Sequence, residues 1–245
     1  MAPRWSVISV NFDSFEYLDY QAKVLQEFND DYEFIICDNY TPSQENQLKE
    51  LKSKYKNIQI VVNTDKTWKH GAGLNLAMKE ATGKYICMID PDFFFHKKNY
   101  LQFLESFFDQ GYHAVGTEFY TPHKSFPVPW GAAYILDEIK DLDMESNFGQ
   151  CEGCKKWICP FHMDTGFQIR IRLKNLPHMA FKEVPHNIPF LGNHSNEFRP
   201  RCYEYDGKII CSHLMRGKYD RNEDVNQEVK EIRKKYCEHF YQLLN

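Results

Sequence analysis

Long apolar runs are missing from this sequence: no hydrophobic stretch approaches the ~20 residues that a membrane-spanning helix requires. A strong charge of one sign is missing too. Thirty basic residues stand against 34 acidic ones, for a net charge of −4 and a pI near 6.2. That balance argues against a protein whose main affinity comes from counterion release along nucleic acid, and leaves only a local basic groove open. There is no internal repeat and no low-complexity tract, and the 16% aromatic content is too high for a disordered chain. The opening Met1-Ala2-Pro3-Arg4-Trp5 runs straight into an alternating apolar segment, without the apolar core and small-residue cleavage site of a secretory leader. The expectation is a soluble, cytoplasmic single domain over residues 1–245, with its eight cysteines reduced or metal-bound.

What is present in the first half is an alternation of short β-branched or aromatic runs with longer amphipathic stretches. Trp5 to Val10 reads as a strand, and Ser14 caps a helix with Leu18, Ala22, Leu25 and Phe28 on one face. Phe34-Ile35-Ile36-Cys37 is a continuous apolar run, as expected of a strand covered on both sides. Cys37 and Cys87 are expected simply to pack. A second helix follows Thr41-Pro42, and a third strand runs from Ile58 to Val62. A third helix spans Ala72 to Ala81, and a fourth strand, Tyr85 to Ile89, ends at Asp90-Pro91-Asp92. Parallel strands need crossovers, so this alternation specifies an α/β fold, a mostly parallel sheet flanked by helices. Ligands bind such sheets at the strand carboxyl ends, which singles out Asn11, Asp38, Asn39, Asn63, Asp90 and Asp92.

Beyond about Gly116 the alternation fades and Pro122, Pro127, Pro129 and Gly131 cluster. Residues 1–115, 116–220 and 221–245 therefore read as a regular half, an irregular lobe and a terminal helix. In that helix Val225, Val229, Ile232, Tyr236 and Phe240 recur at helical spacing, with a solvated charged face opposite.

Residues i and i+2 of an extended segment point the same way, so Asp90 and Asp92 present two carboxylates to one spot. Two hard oxygen ligands suit Mg²⁺ or Mn²⁺ with open positions for substrate phosphates, although Asp-Pro-Asp is also a good turn sequence. Asp38, at the end of a neighbouring buried strand, can accept from a ribose hydroxyl or a nucleobase N–H, or merely form a turn with Asn39. The loop from Asn63 to Asn75 is polar and basic, and it carries Lys69, His70 and Gly71 into a helix start suited to an anion. It is not a dinucleotide fingerprint, because Leu76 takes the third glycine position, and no Walker Lys-Ser/Thr follows. Cys151, Cys154, Cys159 and His162 place four metal-capable side chains within twelve residues, which either close a structural Zn²⁺ site or remain free thiols in a loop.

In order, Val7-Ile8-Ser9-Val10-Asn11, then Ile35-Ile36-Cys37-Asp38-Asn39, then Asn63 with Gly71, Gly73 and Asn75, and finally Ala81 through Asp92, resemble the family 2 type of GT-A glycosyltransferase. The resemblance is close over residues 5 to about 95 and loose beyond. It implies a GT-A fold with an acceptor lobe, a nucleoside-diphosphate-sugar donor, a Mn²⁺ or Mg²⁺ ion on the Asp-x-Asp element, and inversion by direct displacement in an enzyme of hexosyltransferase type. It matches Val10 and Asn11 to the strand end that contacts the nucleoside and Asp38 to the acid that grips base or ribose, with Asn39, His70 and Gly71 in the same donor pocket. Asp90 falls near ribose and metal, Asp92 as the direct ligand, and His213, in Ser212 to Gly217, as the histidine that reaches back to the metal, with Arg216 or Lys218 for phosphate oxygens. Gly131-Ala132-Ala133, next to Trp130, resembles the small-residue segment where donor sugar and acceptor approach the backbone.

Met163-Asp164-Thr165-Gly166 falls where the family has a Glu-Asp pair supplying the general base. Met163 replaces the first acid, and Asp164 keeps the needed carboxylate; its plainer role is a helix N-cap. The family puts a helix after Asp164, whereas Phe167 to Lys174 alternates with the period of a strand. The helix is the reading adopted here. Two other classes stay open. A nucleotidyltransferase would normally carry a Gly-rich basic loop after the first strand, where this chain has Asn11-Phe12-Asp13-Ser14-Phe15. A catalytically silent module would bind a nucleotide sugar or zinc and recruit a partner. The acceptor is a hydroxyl on a glycan, lipid, protein or modified nucleic acid.

Overall fold

The structure is a computed structural model, and it describes residues 2–39, 41, 44–64, 69–119, 126–145, 165–184, 201–214 and 223–245. Four parallel strands build the first half: β1 (Trp5–Asn11), β2 (Tyr32–Asp38), β3 (Ile58–Val62) and β4 (Tyr85–Ile89), side by side in the order β3, β2, β1, β4. Helices α1 (Phe15–Phe28), α2 (Glu45–Lys54) and α3 (His70–Glu80) make the crossovers. Strand alternation divides the core into two layers. Val7, Phe34, Ile36, Cys87 and Ile89 face one cluster with Leu18 and Leu25 of α1, whereas Ile8, Val10, Ile35, Cys37, Ile86 and Met88 face the other with Leu74 and Ala77 of α3. Both faces of β2 and β4 are covered, which is why Phe34–Cys37 and Tyr85–Ile89 read as unbroken apolar runs. Cys37 and Cys87 are buried as expected, and burial pushes each thiol up to about 12, far from a reactive thiolate.

β1 lies between β2 and β4, so Asp38 and Asp90 close strands one removed, not adjacent ones. Two helix starts also differ from the sequence reading. Ser14 occupies the N-cap of α1 without a side-chain capping bond, its hydroxyl donating instead to Phe12 O. The helix after Asp164 is present as α6 (Phe167–Leu173), but it is capped by Gly166 at φ 76°. Ile169 and Leu173 of α6 are buried while Ile171 is 53% exposed, so helical burial overrides the period-two pattern.

The second half is more regular than its prolines suggest. β4 runs on through a turn into β5 (Phe93–Phe95), followed by α4 (Tyr100–Phe108). β6 (Ala114–Phe119) and β7 (Phe126–Ile135) enter the sheet antiparallel to each other, β7 against β4. α5 (Leu136–Ile139) and α6 follow, then β8 (His178–Val184), parallel to β6. β9 (Arg201–Tyr205) and β10 (Lys208–His213) form a hairpin that returns to β5. Its turn holds Asp206 and Gly207 at φ 52° and 70°, the left-handed pair that suits the twist of a two-residue hairpin. The parallel character thus belongs to the first half, and the remainder is antiparallel apart from the β6 and β8 pair.

Helix α7 (Glu223–Leu244) packs on α1 and β5; of the apolar positions in the terminal periodicity, Ile232, Tyr236 and Phe240 join the core, while the Val225 and Val229 side chains lie outside what the structure describes. Tyr236 and Phe240 are fully buried, and the Phe240 and Phe94 rings stack tilted at 4.5 Å. Arg233 is buried over the Tyr17 ring and donates to Asp13 O at 2.7 Å. Among the described residues no helix is long and apolar enough to cross a membrane.

Candidate metal and nucleotide site

Two polar clusters form at the carboxyl ends of the parallel strands. In the first, Asn11 and Asp38 are register partners on β1 and β2, and Asn11 Nδ2 donates to Asp38 Oδ1 at 3.0 Å. The other carboxylate oxygen accepts from the Thr41 N–H at 3.3 Å. Asn11 Nδ2 also donates to Gln44 Oε1, Gln44 donates to Asp13, and the Asp13 carbonyl accepts from Arg233. A buried polar chain therefore links α7 to the floor under Asp38. Asp13 sits at φ 53°, held in that left-handed conformation by Gln44 on its side chain and Arg233 on its carbonyl. Asn39 accepts from Asn63 at 2.5 Å and donates to Lys69 O at 3.3 Å, tying the ends of β2 and β3 to the start of α3.

The second cluster closes β4. The Asp90 N–H donates to Trp130 O on β7, and the Phe93 N–H donates back to Asp90 O, which tightens the turn. β5 then pairs with β10 so that Phe93 faces His213, and the ladder extends one step as Leu214 N–H reaches Asp92 O. This register delivers His213 to the carboxylates: its Nε2 lies 2.9 Å from Asp92 Oδ1 and 3.2 Å from Asp90 Oδ2. His70 Nε2, at the start of α3, lies 3.2 Å from Asp90 Oδ1. Side-chain exposure grades from 4% at His213 and 7% at Asp92 to 23% at Asp90 and 32% at His70, so the cluster opens to solvent on the Asp90 and His70 side.

One potential ligand atom from each of Asp90, Asp92 and His213 fits within 4.8 Å of the others. Burial drives the His213 imidazole toward neutrality, but Asp92 and Asp90 outweigh it and push its pKa up to about 10. A proton there does the work that a divalent cation would do between two buried carboxylates. Two oxygens and one imidazole nitrogen suit Mn²⁺ well and Mg²⁺ acceptably. Trp130, nearly parallel to His213 with ring centroids 6.3 Å apart, walls the cluster on one side.

The structure thus brings together Asp90, Asp92, His213 and His70 in one group, and Val10, Asn11, Asp38 and Asn39 in the other. Val10 is buried beside Gly73, where an added Cβ would fall 2.6 Å from Val10 Cγ1. Gly71 and Gly131 are small for internal reasons. A Cβ on Gly71 would meet Met144 O at 2.4 Å, and one on Gly131 would meet the Phe93 ring at 2.7 Å. Asp164, Arg216, Lys218 and the Cys151, Cys154, Cys159 and His162 set lie outside the described residues. Gly166, two residues past Asp164, rests on Pro129 and donates to Met144 O, and Met144 N–H in turn donates to Asn75 of α3. Sequence reasoning missed Gln21, Gln44 and Arg233. Gln21 did leave a signal: it is a polar residue on the buried face of α1, three positions from Leu18 and four from Leu25.

Comparison with known proteins then places this arrangement. The family model described as glycosyl transferase family 2 matches residues 6–171. No curated protein matches the sequence. Among solved structures, the mannosyltransferase PcManGT from Pyrobaculum calidifontis, determined with GDP-Man and Mn²⁺, superposes with a TM-score of 0.53 at 16% identity, covering 74% of this chain and 55% of its own. TarS from S. aureus gives 0.52 at 18% identity, covering 73% of this chain and 35% of its own. The chain therefore spans about half the length of such proteins, or less, and shares with them the α/β architecture of GT-A glycosyltransferases. With two thirds of its length under the family model and the strand order and strand-end carboxylates in place, the chain belongs to glycosyl transferase family 2.

Proposed function

We propose that the protein is a metal-dependent, inverting glycosyltransferase of hexosyltransferase type that moves a sugar from a nucleoside diphosphate to a hydroxyl acceptor. The observation that carries this reading is the convergence of Asp90, Asp92 and His213 at the carboxyl end of β4. In it Asp92 and His213 would hold a Mn²⁺ or Mg²⁺ ion, with Asp90 at the open side, and that ion would supply the neutralising charge for the departing diphosphate. Asp38 and Asn11 receive the nucleoside at the ends of β2 and β1. Two inter-strand spacings, about 10 Å, separate Asp38 from Asp90, which leaves a nucleoside and its phosphates room to lie across β1. Lys69 offers positive charge, and His70 a ring nitrogen, at the start of α3.

Asp164 takes the acceptor hydroxyl proton as the oxygen attacks the anomeric carbon, and the nucleoside diphosphate departs from the opposite face. Residues 1–115 serve the donor and 116–220 the acceptor, and α7 braces the donor half through α1 and β5. The PcManGT structure with GDP-Man and Mn²⁺ supports the donor class and the metal by analogy. The test is a thermal-shift panel of nucleoside diphosphates and their sugars with Mn²⁺, followed by donor hydrolysis with and without Mn²⁺. The reading expects one nucleotide class to stabilise the protein and Mn²⁺-dependent release of the diphosphate. Release of nothing under either condition would assign the protein to a silent binding module.

A further inference from the structure

The turn that carries the two metal-site carboxylates directs three main-chain carbonyls into the protein. Asp90 O, Pro91 O and Phe93 O lie 2.8, 2.9 and 3.3 Å from a single atom, Nε2 of Gln21. Gln21 is fully buried in α1, among Leu18, Ala22 and Leu25. The orientation of its carboxamide is unambiguous, because the oxygen in that place would face three other oxygens. The opposite end of the side chain is left worse off: Oε1 is buried and accepts no hydrogen bond among the described residues. A buried acceptor without a donor is destabilising, and a methionine of the same length would pack here without that loss. What a methionine lacks is the donor.

We propose that Gln21 is a positioning residue for the metal site, and the inference rests on the reading of Asp90, Asp92 and His213 as that site. Three carbonyl dipoles converging on one point repel one another unless a donor stands between them. The peptide planes they belong to, 90–91, 91–92 and 93–94, set the directions in which Asp90 and Asp92 project. With the donor present the turn stays closed, and both carboxylates meet His213 Nε2 within 3.2 Å. Without it, the planes rotate to bring the carbonyls to other partners, and the oxygens no longer share a point.

The experiment measures the Mn²⁺ dissociation constant from the electron paramagnetic resonance signal of free aqueous Mn²⁺, on the full chain and well below its melting transition. Gln21→Met is expected to weaken Mn²⁺ binding by about tenfold or more, in the range typical of groups that orient metal ligands. Gln21→Asn, which keeps the carboxamide but withdraws it by one methylene, is expected to fall between Gln21→Met and the wild type, and it serves if Gln21→Met does not fold. A residue that only packs would lower the melting temperature and leave the dissociation constant where it was; an unchanged constant in a folded variant overturns the proposal. If the wild type takes up no Mn²⁺, the metal reading falls and this inference falls with it, an outcome distinct from a wild type that binds and a variant that binds equally well.

Discussion

His213 stands between two carboxylates, and its protonation state couples any ion in that place to pH. Free of metal, the imidazole is charged up to about 10, because Asp92 and Asp90 outweigh the burial that would otherwise neutralise it. A cation ligated by Nε2 must expel that proton. Between 6.5 and about 10, the affinity for Mn²⁺ should therefore rise about tenfold per pH unit. From pH 6.5 to 8.5 this is about a hundredfold, or ~2.7 kcal/mol. The same shift fixes the stability of the metal-free protein. The folded pKa lies above the unfolded value, so the stabilisation is whole below 6.5 and is lost as pH rises toward about 10. Over the same two units the metal-free protein should lose ~2.3 kcal/mol, less than the change in affinity because the unfolded imidazole is itself half charged at pH 6.5, which lowers Tm by roughly 5–9 °C for a chain of this size.

Titration calorimetry in two buffers of different ionisation enthalpy counts the protons released on Mn²⁺ binding, and one proton per ion is expected over this range. Saturating Mn²⁺ should remove the decline in Tm, since the bound state holds His213 neutral throughout. His213→Asn should bind Mn²⁺ with a far shallower pH dependence. A Mn²⁺ affinity that is flat from pH 6.5 to 8.5 with no proton released would refute the reasoning. In that case His213 is either not a ligand or not charged between its carboxylates.

Further outcomes can be checked separately. Asp92→Asn should abolish Mn²⁺-dependent donor binding, whereas Asp164→Asn should leave that binding intact and stop transfer; turnover in the second variant would move the base elsewhere. Gly71→Ala drives a methyl group into the Met144 carbonyl, 2.4 Å from its Cβ, and should cost about 1–3 kcal/mol by chemical denaturation. Phe240→Ala removes a fully buried ring stacked on Phe94 and should cost about 3–5 kcal/mol, the larger effect if α7 braces the turn as its contacts imply. Cys154→Ser should lower Tm and release zinc if the cysteine set binds it; elemental analysis that finds no zinc in the wild type retires that site.

The legible part of this protein is the part whose residues act through local pattern. The bounds of β3 and β4 read directly from the sequence: β4 is covered on both faces and apolar at every position, while β3, at the sheet edge with Gln59 inside it and Val62 exposed, is a β-branched run bounded by polar residues. The Asp90 and Asp92 pair was legible for the same reason, as two carboxylates two apart at such an end. The β9–β10 hairpin was not recognised, although Asp206-Gly207 between two strand-like runs is a local signal of the kind that specifies a two-residue turn. That omission hid how His213 arrives. Only the pairing of β10 with β5 puts its imidazole beside Asp92 across a separation of 121 residues, and the family resemblance, not any spacing in the chain, had marked it.

The residues that escaped altogether share a different property. Gln21 and Arg233 spend their donors on main-chain carbonyls and Gln44 on the Asp13 carboxylate, and each partner lies far away in sequence. Such a contact has no signature in residue type, because a carbonyl is present at every position; its existence depends on which turn the fold presses against which helix. A polar residue on a buried helical face does signal that some unsatisfied group awaits it, since a buried donor without an acceptor is selected against by its own desolvation. The signal gives the need for a partner but not its identity. At Gln21 the partner proved to be the one turn whose shape decides where Asp90 and Asp92 point, so the least legible side chain in the first half of the chain is bonded to its most legible motif.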